Sequence, residues 1–331
     1  MRNPLSLIFL GLGWAIFSCD NGSSVDNSTC GAGMVMCGTV CMVEGTCLAN
    51  LGGSPSVGTG GATTKPIDTS TITSPDCDDG QYATASGTLA AQYTGITIAT
   101  GPSEKPSAKQ YFLSTNWWGK YVDQSISYDG LSFTIHNPSN VSATANDPIG
   151  FPTLYIGNYS GHANAGSNLP KPVSQLTSVP TVFSTNAAEG KRDNYNATYD
   201  VWFTPTNEPL GSSQYSPPKG GAFLMVWLFL PTNRQPRGSI SSYGHAVSGV
   251  DDLTWNVWID KPADGSATCI SYVSTRPIDG LAFDLNHFIQ DSVNNKFGIT
   301  SSMSLSVVFA GFEIWSGGEG LELKNFCAKV N

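Results

Sequence analysis

The sequence predicts an all-β fold: a sandwich of two antiparallel sheets with a concave cleft and one helix on the outer face. Three observations carry this. The chain of 331 residues holds 36 Gly and 20 Pro but only 12% charged residues, a composition of strands and turns rather than helical bundles. Short apolar or alternating runs recur between turn signals over residues 111–330. Only one stretch, Leu281, Leu285, Phe288 and Ile289, repeats at helical spacing, with Asp279 and Asp284 as start residues. A hydrophobic content of 40%, with 11% aromatic residues, supports a core and excludes global disorder.

The strands are expected at residues 111–114, 126–127 with 131–136, 153–156, 195–203, 222–230, 253–259, 269–274, 304–312 and 321–330. Residues 222–230 are apolar at every position, so both faces of that strand must be covered. Its aliphatic positions suit a core. Phe223, Met225, Trp227 and Phe229 alternate with them and suit the aromatic floor of a cleft. Trp255 and Trp258 fall on opposite faces, so at most one lines such a cleft.

Four segments precede or form this fold. Residues 1–18 combine Arg2 with an apolar run over 5–16 that is too short to span a membrane as a mature helix. The run ends at Ile16-Phe17-Ser18-Cys19, which resembles a bacterial lipoprotein signal with Cys19 as the lipidated residue. An ordinary secretory peptide cleaved near the same point is the other reading; both predict export, to the periplasm or the cell surface. Residues 19–47 carry Cys30, Cys37, Cys41 and Cys47, a cluster suited to two disulfides in an oxidising compartment. Zinc is the alternative, although no paired C-x-x-C is present. Cys77, Cys269 and Cys327 then leave one thiol over. Residues 48–75, rich in Gly, Ser, Thr and Pro, read as a flexible tether, and 76–331 as one globular domain.

A net charge of -9 argues against a nucleic-acid partner, since an acidic chain releases no counterions from phosphates. The four His are scattered, and no P-loop, G-x-G-x-x-G or G-x-S-x-G follows a strand, so no metal or cofactor is expected. The chain is expected to be a monomer.

Three segments in order resemble glycoside hydrolase family 12, the endo-β-1,4-glucanases and xyloglucanases. They are Thr115-Asn116-Trp117-Trp118-Gly119; Tyr199-Asp200-Val201-Trp202-Phe203 with Leu224-Met225-Val226-Trp227 and Gln235-Pro236-Arg237-Gly238-Ser239; and the segment from Gly311 through Glu313-Ile314-Trp315 to Leu321. The resemblance implies a jelly roll and a β-glucan partner, whether cellulose, xyloglucan or mixed-linkage glucan. It implies Trp118 as a stacking platform, with Asn116, Trp202, Phe223, Met225, Pro236 and Trp315 as further substrate-binding residues. Glu313 takes the general-acid position, and Asp200 that of the family Asp beside the nucleophile. The family's central strand begins Glu-x-Met-x-Trp, and here Phe223 stands where that nucleophilic Glu belongs, with no acidic residue between Glu208 and Asp251. Retaining hydrolysis needs two carboxyl groups about 5 Å apart. The expectation is therefore a surface lipoprotein that holds glucan with impaired hydrolysis. The alternative is an enzyme that cuts through Glu313 with Asp200 activating water.

Overall fold

A computed structural model describes residues 34–37 and 40–43, 83–101, 109–118, 124–136, 148–189, 194–212, 214–232, 234–250 and 252–331. Cys19, Cys30, Cys47, Cys77, the signal segment and the tether lie outside the described residues. Residues Gly22–Lys65 form a unit of their own, in which β1 (Met34–Cys37) and β2 (Val40–Val43) pair antiparallel.

In the main unit the described strands begin with β3 (Ser86–Leu89), β4 (Gly95–Thr100), β5 (Lys109–Ser114), β6 (Ser125–Asp129), β7 (Ser132–His136) and β8 (Thr153–Tyr159). Two short pairings, β9 (His162–Ala163) and β10 (Lys171–Pro172), precede β11 (Pro180–Thr185), β12 (Tyr195–Thr204) and β13 (Ala222–Trp227). The chain continues through β14 (Ser239–His245), β15 (Trp255–Asp260), β16 (Thr268–Ser274), β17 (Gly280–Asp284), helix α1 (Asn286–Asn294), β18 (Ser304–Ile314) and β19 (Glu322–Ala328). The larger sheet runs β14-β15-β16-β13-β12-β18-β8-β5-β4, with β9 on β8 and β10 on β18. The smaller sheet runs β17-β11-β19-β7-β6-β3. This is the two-sheet sandwich that the strand pattern predicts.

The sheets are not antiparallel throughout. β13 and β16 pair in parallel, Ala222 opposite Thr268 through Trp227 opposite Val273. The chain leaves β13, forms the antiparallel β14–β15 pair at the sheet edge, and inserts β16 between that pair and β13. A long connection makes the parallel pairing possible.

Alternation separates two apolar layers. Ala197, Tyr199, Val201 and Phe203 of β12, with Val308, Ala310, Phe312 and Ile314 of β18, join the core between the sheets. There Phe312 meets Phe133 edge-on at 5.7 Å, and Tyr199 meets Phe183 and Phe283 at 5.4 Å each. The alternate residues Trp202, Phe223, Met225, Trp227, Phe309 and Trp315 form a second cluster on the distal face, turned away from the smaller sheet. Trp255 belongs to the core and Trp258 packs on the distal cluster, as their spacing requires. Phe229 departs from the expected pattern. β13 ends at Trp227, the period-two alternation ends with it, and Phe229 turns into the core. In β18 a bulge at Ser306, between the pairs Phe203–Leu305 and Trp202–Val307, likewise shifts Leu305 to the core side.

Leu281 lies in β17 opposite Phe183 rather than in the helix, which begins only at Asn286. Just ahead of it, the Asp284 carboxylate accepts the Asn286 N–H at 2.9 Å and also the Val179 N–H at 2.6 Å. The helix is not on the outer face, as the sequence suggested, because its apolar residues Leu285, Phe288 and Ile289 join the core: it lies beside β17 and covers the inner face of β15 and β16, with Phe288 edge-on to Trp255, Tyr272 and Phe283 at 4.9–5.2 Å. Asp291 fastens it further by accepting the Tyr272 hydroxyl at 2.7 Å and bonding His245 of β14. β3, β4, β11, β14 and β17 are not among the expected strands; β14 is Ser-rich and half-exposed, with no apolar alternation to announce it.

Because Phe312 fills the centre of the core, Phe312→Ala should leave a cavity and cost about 3–5 kcal/mol. Chemical denaturation measures this directly, and a loss below about 1 kcal/mol would mean that the aromatic core is not where the fold's stability resides.

Candidate functional site

The distal face of the larger sheet collects the residues that the sequence singles out. β12 is the middle strand. Across it, Trp202 stands opposite Phe223 and Asp200 opposite Met225 on β13, while Asp200 is opposite Phe309 and Asn196 opposite Glu313 on β18. Alternation aligns Asn196, Thr198, Asp200 and Trp202 on this face.

Glu313 is buried, which is costly for a carboxylate unless hydrogen bonds replace water. Asn196 does this with both ends of its amide: Nδ2 donates to Glu313 Oε2 at 2.7 Å, and Oδ1 accepts the Glu313 backbone N–H at 3.2 Å. Nothing in the motif comparison points to Asn196. The signal was its place four residues before Asp200 on the same strand face. Trp315, two residues after Glu313, packs with Trp227 at 6.5 Å, and the Arg234 guanidinium lies 5.4 Å from its ring centroid.

Asp200 is buried and accepts the Trp202 indole N–H at 2.8 Å through Oδ2. Burial pushes its carboxyl up to about 7, against the smaller lowering effect of the Trp202 bond. Its Oδ1, the Tyr155 hydroxyl, Trp227 Nε1 and Arg234 Nε are buried with no hydrogen-bond partner among the described residues. The Trp202 bond draws Asp200 away from Glu313. Along β12 the two carboxylates are four register positions apart, about 13 Å of strand.

Phe223 meets Trp202 edge-on at 5.6 Å, and Trp202 meets Phe309 at 5.1 Å and Tyr159 at 5.3 Å. Tyr155 and Phe112 extend this array toward β4. Trp202, Phe223, Met225 and Trp315 are all under 6% exposed, so they form a packed floor rather than open platforms. Trp118, Tyr215 and Trp258 are the partly exposed aromatics that pack on it. Asn116 adopts φ 40° and its carbonyl accepts the Phe151 N–H at 2.8 Å; this kink sends Trp117 into the core and Trp118 to the distal face. Pro236 is buried in the loop before β14, beside Arg237, which pairs with Asp260 at 3.0 Å. Tyr159 escaped sequence reasoning because only tertiary packing brings it within reach of Asp200, and Tyr155 and Tyr215 because only packing sets them against Tyr159. Among the described residues, no three His, Cys, Asp or Glu side chains are grouped as a metal site requires.

The Asp200 carboxyl sits above its ordinary 3.8, so between about pH 4 and pH 7 the folded chain binds more protons than the unfolded one. Stability contributed by this group is therefore present below pH 4 and lost as pH rises toward 7. Asp200→Asn should abolish that loss and raise stability at pH 8 by on the order of 3 kcal/mol. Thermal melts at pH 5 and pH 8 test it: an unchanged pH dependence in the variant would rule out Asp200 as the titrating group.

Comparison with known proteins gives this geometry its lineage. The chain is 32% identical over 168 residues to "Probable cellulase Cel12b" of Mycobacterium tuberculosis, covering 50% of this chain and 99% of that protein. It is 24% identical over 225 residues to "Inactive glycoside hydrolase XLP1" of Phytophthora nicotianae, covering 68% and 88% of the two chains. Among solved structures, the endoglucanase cel12A from Rhodothermus marinus superposes with a TM-score of 0.62 at 28% identity, over 74% of this chain and 99% of that one. The sequence profile of Glycosyl hydrolase family 12 matches residues 109–331, so the chain belongs to that family.

Proposed function

We propose that this protein binds β-1,4-glucan chains on the distal aromatic face of its larger sheet, and that ordinary retaining hydrolysis is impaired. The carrying observation is Phe223: a buried, apolar ring on the site face of β13, packed on Trp202 where the family resemblance calls for a nucleophilic carboxylate. A phenyl ring can form no glycosyl ester, and removal of one group from a catalytic unit typically costs ~10⁴–10⁶ in rate. Glucan binding rests on family membership and on a face where Trp118, Tyr215 and Trp258 border buried polar atoms that lack partners. Flat pyranose faces suit the rings and hydroxyls suit the polar atoms.

The lipoprotein-like end at Cys19 and the flexible composition of residues 48–75 support display of the domain from a membrane, on a tether. Hydrolysis through Glu313 with Asp200 is the second reading. The free Oδ1 and raised pKa of Asp200 favour it, whereas the Trp202 bond and the strand spacing from Glu313 weigh against it.

Calorimetric titration of the full chain with soluble β-glucans, beside an assay of reducing-end release, tests the reading. Saturable binding weakened by Trp118→Ala, with no release above buffer, is expected. Release by the unaltered chain that Glu313→Gln abolishes would overturn impaired hydrolysis, and absence of saturable binding would overturn the glucan reading.

A further inference from the structure

Tyr93 lies ahead of the residues that match the family, in the turn over residues 91–94 that enters β4. Two features set it apart. Its ring is 59% exposed, although most of the protein's large rings are buried, and its backbone holds φ 52°, a left-handed conformation that bulky residues avoid. Strain of this kind persists only where the surroundings enforce it. Here the enforcing residue is Thr115, itself fully buried: its hydroxyl accepts the Thr94 N–H at 3.1 Å and lies 3.0 Å from the carbonyls of both Ala91 and Thr94. The Thr115 backbone N–H donates to Thr94 O at 2.9 Å, closing the clamp.

The clamp fixes Tyr93 relative to the site. Thr115 immediately precedes Asn116, whose kink delivers Trp118 to the distal face. Gly95, two residues after Tyr93, lies so close beneath the Phe112 ring that no Cβ could be accommodated, and Phe112 belongs to the distal cluster. The Tyr159 hydroxyl, raised chiefly by burial, is pushed up further by Tyr215, Asp200 and Tyr93, so each of these three is within electrostatic reach of Tyr159. An exposed ring on a rigid turn, held over the β4 side of an aromatic face, is preorganised to stack on a flat ligand without further ordering cost.

We propose that Tyr93 is a stacking platform that adds a glucosyl-binding position to the β4 side of the site, engaged by longer β-1,4-glucan chains. This rests on the glucan-binding reading. The test titrates the full chain and its Tyr93→Ala, Tyr93→Phe and Tyr93→Trp variants with cellotriose and cellohexaose, with thermal melts as a folding check. Tyr93→Ala should weaken cellohexaose about tenfold and leave cellotriose unchanged, while the Phe and Trp variants bind as the unaltered chain does. Cellohexaose affinity unchanged in Tyr93→Ala would overturn the platform while leaving the glucan reading intact. So would an equal loss for cellotriose, or a loss in Tyr93→Phe, which would assign the effect to the hydroxyl. Failure of the unaltered chain to bind either sugar would overturn both.

Discussion

Burial of the central strands on both faces is the constraint on which the rest of the structure depends. β12, β13 and β18 lie between a core below and an aromatic cluster above, and none of their residues is exposed. Such strands must be apolar nearly throughout, and every polar group admitted on the distal face must be matched or left costly. Thr198, Asn196, Glu313 and Asp200 are among the side chains admitted, and their treatment differs. Glu313 receives both ends of one amide, a local solution on the neighbouring strand. Asp200 receives one indole N–H on one oxygen and, among the described residues, no partner on the other.

That difference separates the two carboxylates chemically. A buried carboxyl with a single donor is held neutral more readily than one in water, and Asp200 titrates near neutrality as a result. On the adjoining strand Phe223 packs on Trp202, so the surroundings of Asp200 on this face are aromatic rather than charged.

Much of the fold was legible because it obeys period-two alternation. The strands β5 to β8, β12, β13, β15, β16, β18 and β19 follow apolar runs, and the faces of Trp255 and Trp258 or of Phe309, Phe312 and Glu313 follow from counting alone. What escaped did so for identifiable reasons. Leu281 continues the helical spacing of Leu285 and Phe288, but pairing with Phe183 is stronger than a further helical turn. Phe229 follows the pattern of Phe223, Met225 and Trp227, but the strand ends before it. The parallel pairing of β13 with β16 joins segments whose order reflects a long excursion, not a local signal.

The sequence by itself determined the class of the fold and the alternation of core and distal faces, since each depends on residue type and short spacing. Tertiary structure decided which groups meet. Asn196 serves Glu313 because β12 and β18 are in register; Trp202 serves Asp200 because both project from one face; and Tyr93 keeps its left-handed turn because Thr115, just past the end of β5, clamps it. The physical reason is range: side-chain periodicity is a property of one strand, whereas hydrogen-bond satisfaction in a buried layer is a property of its neighbours.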